Sequence, residues 1–197
     1  MSRSKMDPPD MREDTLALSR IAVRHCLCPH PDVVSRLEGA VFPSIRASNK
    51  SGKRGERGEV DGRRIMYDDN TTPRLALLWS HGFGGTKHPE GWTFAHVWDV
   101  PKDPDAYTHI ANLVMLPESL ASLTDKQGPL VPYLRYHAET VYRWRPVGKD
   151  IVGKPSGYQN LTWTYLDPIP NPLGFVRDRM KRSNEKRIGI LRDLMGI

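Results

Sequence analysis

Seventeen prolines are spread along this chain from Pro8 to Pro172, and each removes a backbone donor and ends or bends a helix that contains it. Together with sixteen glycines they exclude an idealised helical bundle and demand short elements joined by irregular turns. At 197 residues the expectation is one compact domain with extensions, or at most two small ones. The longest apolar stretches, 75–79 and 112–116, fall far short of the roughly 20 residues that a helix needs to cross a bilayer. No membrane partner is expected.

Met1 to Lys5 leads into Asp7-Pro8-Pro9-Asp10 without the apolar core of a secretory leader. Cys26 and Cys28 are the only cysteines, and a one-residue separation disfavours a disulfide between them. A reducing cytoplasm is the expected compartment. His25, Cys26, Cys28 and His30 could each bind zinc, but four donors within six positions at a helix end cannot readily surround one ion, so buried thiols are the expectation.

The net charge of +6 is unevenly distributed, which makes nucleic acid, DNA before RNA, the first partner to consider. Residues 49–58 carry cations spaced by glycines with nothing apolar to bury, the composition of a flexible loop. Such a loop is either a solvated connection or a phosphate-contacting arm built from Lys50, Lys53, Arg54 and Arg57 and continued by Arg63 and Arg64. A second basic stretch, 177–187, is expected on a C-terminal helix with Ile188, Ile190, Leu191 and Leu194 on its apolar side.

By composition the chain divides into a disordered N-terminus (1–12), a helical segment (13–47), a basic flexible loop (48–62), an ordered core (63–145), and a proline-rich irregular segment ending in a basic helix (146–197). Within the helical segment one helix is predicted near 13–26, and a second is capped by Asp32 and carries Val33, Val34, Leu37 and Val41. The core is predicted to hold a short strand at 64–67 and a helix from Pro73 to Trp79. A strand follows at 92–98, a polar turn at 99–105, a second strand or turn at 107–116, a helix opening at Pro117-Glu118, and an amphipathic helix at 129–144. The loop Gly82 to Thr86 is glycine-rich but lacks the Gly-Lys-Ser/Thr ending of a phosphate-binding P-loop.

The central order, strand with Ala95-His96-Val97-Trp98, polar turn, Asn112-Leu113-Val114-Met115-Leu116-Pro117, then helix to Asp125, resembles the ββα-metal finger of HNH nucleases. The fold this implies is α+β: a small ββα-metal-like finger surrounded by helices. His96 takes the place of the family's first histidine, Asn112 that of its asparagine, and Asp125 that of its late aspartate, while the third metal-binding histidine falls on Ala121. The resemblance covers about Trp92 to Lys126. It implies a metal-dependent DNA endonuclease using Mg²⁺ or Mn²⁺, in a setting of defence or mobile elements.

In such an enzyme His96 is the general base, since an imidazole can take a proton from water at neutral pH. Asn112 orients it. With Ala121 unable to ligate, His109 and Asp125 are the expected metal pair. The alternative is a catalytically inactive nucleic-acid-binding or assembly module that keeps the finger as a scaffold. A further possibility is a subunit of a larger complex that contacts protein partners through Trp163, Tyr165 and the proline-rich segment. For His96 and Asn112 the simpler roles are a buried, carbonyl-bonded ring and a backbone cap.

Overall fold

The structure, a computed structural model, describes residues 12–48, 51–125 and 128–197. The expected disordered terminus, apart from Arg12, and Lys50 lie outside the described residues. In chain order the elements are α1 (Arg12–His25), β1 (Leu27–Cys28), α2 (Pro31–Arg36), β2 (Ser44–Arg46), β3 (Arg57–Val60), β4 (Arg63–Asp68), α3 (Thr71–Ser80), β5 (Trp92–His96), β6 (Leu113–Pro117), α4 (Val131–Val141), β7 (Thr164–Tyr165), α5 (Pro172–Arg182) and α6 (Lys186–Met195). Short 3-10 turns occupy Ile110–Asn112, Glu118–Thr124 and Tyr158–Asn160. The fold is α+β, with two small sheets.

The larger sheet has the order β5-β6-β1-β7, antiparallel except where β1 runs parallel to β7. The run Leu113 to Leu116 is apolar at every position because β6 is covered on both faces. Leu113 and Met115 enter a core with Leu75, Trp79, Ile110 and Val176, whereas Val114 and Leu116 enter another with Val23, Cys28, Trp98, Leu130 and Leu134. Helices α3 and α5 thus lie on one side, and α1 and α4 on the other. Cys26 and Cys28 are buried free thiols of the second core, where loss of hydration raises Cys26 to about 12.

The smaller sheet has the order β2-β4-β3: β4 covers the strand predicted at 64–67, whereas β3 lies in the stretch expected to be a flexible loop and β2 in the segment expected to be helical. Strand β3 pairs antiparallel with β4 from Arg57 against Met66 to Val60 against Arg63. The two-residue turn between them is Asp61-Gly62, with φ of 51° and 76°, the left-handed conformations that a tight hairpin requires. Gly52 and Gly58 serve another purpose: a Cβ on either would overlap the ring of Tyr67, which lies across them. The glycines read as flexibility are therefore the seat of an aromatic ring.

Several boundaries differ from those predicted, each for a local reason. α2 ends at Arg36, and its cap is His30 rather than Asp32, because His30 Nδ1 accepts the Asp32 N–H at 3.2 Å. α3 begins at Thr71, two residues before Pro73, where the buried Asp68 carboxylate accepts the Thr72 N–H at 2.9 Å. Residues 118–124 follow a 3-10 path with no buried residue, where a helix was expected. The basic C-terminal stretch is two helices, with α6 anchored through buried Ile188 and Leu191. Among the described residues no helix is long and apolar enough to cross a membrane.

Candidate functional site around His96

Strands β5 and β6 place Ala95 opposite Val114 and His96 opposite Leu113, so the segment 97–112 leaves and rejoins the sheet at one end. Alternation along β5 puts Trp92, Phe94 and His96 on one face. The Phe94 ring meets the His96 ring edge-on at 6.0 Å, and Tyr107 stacks on it at 5.4 Å with planes 12° apart. His96 Nε2 lies 3.1 Å from the Tyr107 carbonyl oxygen. A carbonyl can only accept, so Nε2 carries the proton and Nδ1 the lone pair. Nδ1 has no hydrogen-bond partner among the described residues.

Burial is the main reason that His96 titrates below the ordinary histidine value, and the Arg46 cation adds to it; the Tyr107 carbonyl and Asp99 oppose them. The ring is consequently a neutral base at pH 7. Asn112 holds the loop around it. Its Oδ1 accepts the Trp98 N–H at 2.7 Å, and its Nδ2 donates to the carbonyls of Ala106 at 3.0 Å and Trp98 at 3.4 Å. Asn112 therefore ties the start of the 97–112 loop to its later part, and no hydrogen bond joins its side chain to the His96 ring.

Tyr107 extends the site towards the smaller sheet. Its hydroxyl bonds the buried Asp68 at 3.2 Å and the Asn70 side chain at 3.0 Å, and it accepts the Asn70 N–H at 2.9 Å. Burial, and then the Asp68 charge, push this hydroxyl far above the normal tyrosine range. Arg46 Nη1 approaches Asn70 Oδ1 at 3.4 Å, and its backbone N–H bonds the Pro101 carbonyl at 2.8 Å. Tyr107 and Arg46 were not singled out from sequence, and no local pattern marks them, since both act through folding of the 97–112 loop onto β2.

His109 stacks on Trp144 at 4.3 Å, and its Nδ1 accepts the Ala111 N–H at 3.2 Å, capping the 3-10 turn. Burial lowers its pKa to about 4. Asp125 is exposed at the end of the 118–124 turn, and among the described residues no hydrogen bond or ion pair joins it to His109. Among the described residues no group of three or more His, Cys, Asp or Glu is placed to hold an ion. With its Nδ1 lone pair engaged by Ala111, His109 as placed here offers no free ligand atom for the Mg²⁺ or Mn²⁺ that the HNH resemblance implies.

The expected phosphate contacts are exposed but engaged. Arg54 pairs with Asp69 at 2.8 Å, Arg63 with Asp105 at 2.7 Å, and Arg57 with Asp193 of α6. Arg187 reaches both Asp69, at 2.6 Å, and Asp68, at 3.4 Å, tying α6 to the hairpin. Lys53 and Arg64 are exposed on the same hairpin with no ion pair among the described residues. Trp163 and Tyr165, considered for partner contact, turn inward: Trp163 stacks on buried His137 at 3.8 Å and the Tyr165 hydroxyl meets its Nε2 at 3.2 Å. Compared with protein-family models, curated proteins and solved structures, the chain matches none.

Proposed function

We propose that this chain cleaves nucleic acid as an HNH-type endonuclease, with DNA as substrate and His96 as general base. The observation that supports this most is the His96 tautomer: Nε2–H is committed to the Tyr107 carbonyl, and the Nδ1 lone pair of the neutral ring has no hydrogen-bond partner among the described residues. The strand, loop, strand and helical turn formed by β5, 97–112, β6 and 118–124 agree with a ββα finger in order, and Asn112 agrees with its bracing asparagine. In the reaction, a water oxygen attacks phosphorus, its proton passes to Nδ1, and the bond to the leaving oxygen breaks as that oxygen takes a proton from solvent. Arg46 is the cation nearest this chemistry in effect, and the exposed hairpin with Lys53, Arg54, Arg57, Arg63 and Arg64 supplies backbone contacts.

A second reading, a nucleic-acid-binding module that has kept the finger as scaffold, is favoured by the hydrogen bond from Ala111 N–H that engages the His109 Nδ1 lone pair. Plasmid cleavage with Mg²⁺, Mn²⁺ or EDTA, in wild type and His96→Ala, separates the two. The nuclease reading expects nicking that falls about 100-fold or more in His96→Ala. Binding of DNA in EDTA by a folded protein that cleaves under no condition establishes the module instead.

A further inference from the structure

Arg54, Arg57 and Arg63 of the hairpin region are answered by carboxylates, but Arg179 on α5 is not, among the described residues. Its guanidinium sits 6.0 Å above the ring of buried Trp79, its Nε is buried without an acceptor, and it has no ion pair among the described residues. What lies beside it is the glycine-rich loop after α3. Arg179 Nη1 is 3.8 Å from where a Cβ on Gly84 would stand, and Trp79 Nε1 donates to the Gly85 carbonyl at 2.9 Å. One indole therefore fixes both the cation and the loop.

The backbone of that loop is open to a ligand. The N–H groups of Gly82 and Phe83 return to the Trp79 and Leu78 carbonyls, closing the end of α3. Those of Gly84, Gly85, Thr86 and Lys87 take no acceptor among the described residues. Gly84, Gly85 and Lys87 are exposed, and the two glycines carry no side chain to keep a ligand from the amides. Successive free amides beside a held guanidinium offer donors and positive charge, the chemistry that recognises an oxyanion.

We propose that Gly84 to Lys87 and Arg179 form a phosphate-binding site, separate from His96 and occupied by a backbone phosphate of nucleic acid. Strand β5 begins shortly after the loop and carries His96 at its other end, about 13 Å along at ~3.3 Å per residue. The site would thus hold a phosphate other than the one presented to His96. Its existence does not depend on catalysis at His96.

The test is an amide NMR titration of the full chain, first with inorganic phosphate and then with a 12-base-pair DNA duplex at low salt. Saturable shifts of the Gly84 to Lys87 amides and the Arg179 Nε–H are expected with both probes, weakened about tenfold or more in Arg179→Gln and less in Lys87→Gln, and unchanged in His96→Ala. Should Arg179→Gln fail to fold, Arg179→Lys keeps the stem over Trp79 and is expected to lose the two-pronged contact and several-fold in affinity. Competition between duplex and phosphate for the same amides confirms a nucleic-acid backbone as the occupant. Shifts with phosphate but not with duplex overturn that occupant, and the absence of saturable shifts with either, or undiminished binding in a folded Arg179 variant, overturns the site.

Discussion

Around His96, polar side chains are held by backbone groups and stacked rings, whereas on the β3–β4 hairpin they are held by carboxylates in water. Asn112 is fully buried and reaches three backbone groups, while Arg54, Arg57 and Arg63 have side chains 61%, 53% and 52% exposed. Interactions of the first kind are little affected by salt, and those of the second are screened and weak. The difference suits the proposed division of labour. A base must keep its geometry, but a cation that meets a polyanion must be able to exchange one oxyanion for another.

The largest contrast should appear with pH. Burial holds His81, His109 and His137 at about 4, below the usual 6.5. In the unfolded chain these rings take protons as pH falls through 6.5, while the folded protein resists until about 4, so stability is lost on going down through that window. At pH 5 the cost is on the order of 2 kcal/mol for each ring, summing to several kcal/mol. Urea unfolding from pH 7 to 5 measures this, and 1 M NaCl should leave the loss in place. A loss abolished by salt would place its origin in the exposed ion pairs.

Asn112→Ala comes next, at about 3–5 kcal/mol, because it strands the Trp98 N–H and the Ala106 carbonyl inside the protein. Denaturant midpoints at pH 7 check it, and a loss below ~1 kcal/mol would mean that the loop is braced elsewhere. Gly58→Ala should cost about 1–3 kcal/mol by displacing Tyr67. The smallest effect belongs to Asp193→Asn, which breaks the pair with Arg57: below about 1 kcal/mol, and nothing measurable in high salt.

How much of this was legible beforehand differs between the same two regions. The stretch 107–116 read as a strand or a strand leading into a turn, and the strand is confined to its apolar end, where β6 is covered on both faces. His96 and Asn112 were picked out together, although their link through Trp98, Ala106 and Tyr107 depends on a loop whose path no periodicity encodes. His109 was read as a ligand because its stacking partner, Trp144, lies far along the chain. The strand 64–67 of the hairpin was legible, but its β3 half was read as loop for a related reason. Its glycines and arginines have the composition of a loop, but Tyr67 covers the glycines and Asp193 and Asp69 answer the arginines, and such pairings are tertiary.

Ring ¹⁵N spectra of the histidines across pH 5 to 8 test the state of His96 most directly. The expected result is a neutral His96 at pH 7 with the proton on Nε2, an unprotonated Nδ1, and a midpoint below 6.5. A proton on Nδ1, or a charged ring at pH 7, would contradict the account, because no free Nδ1 lone pair would then remain to accept a proton from water.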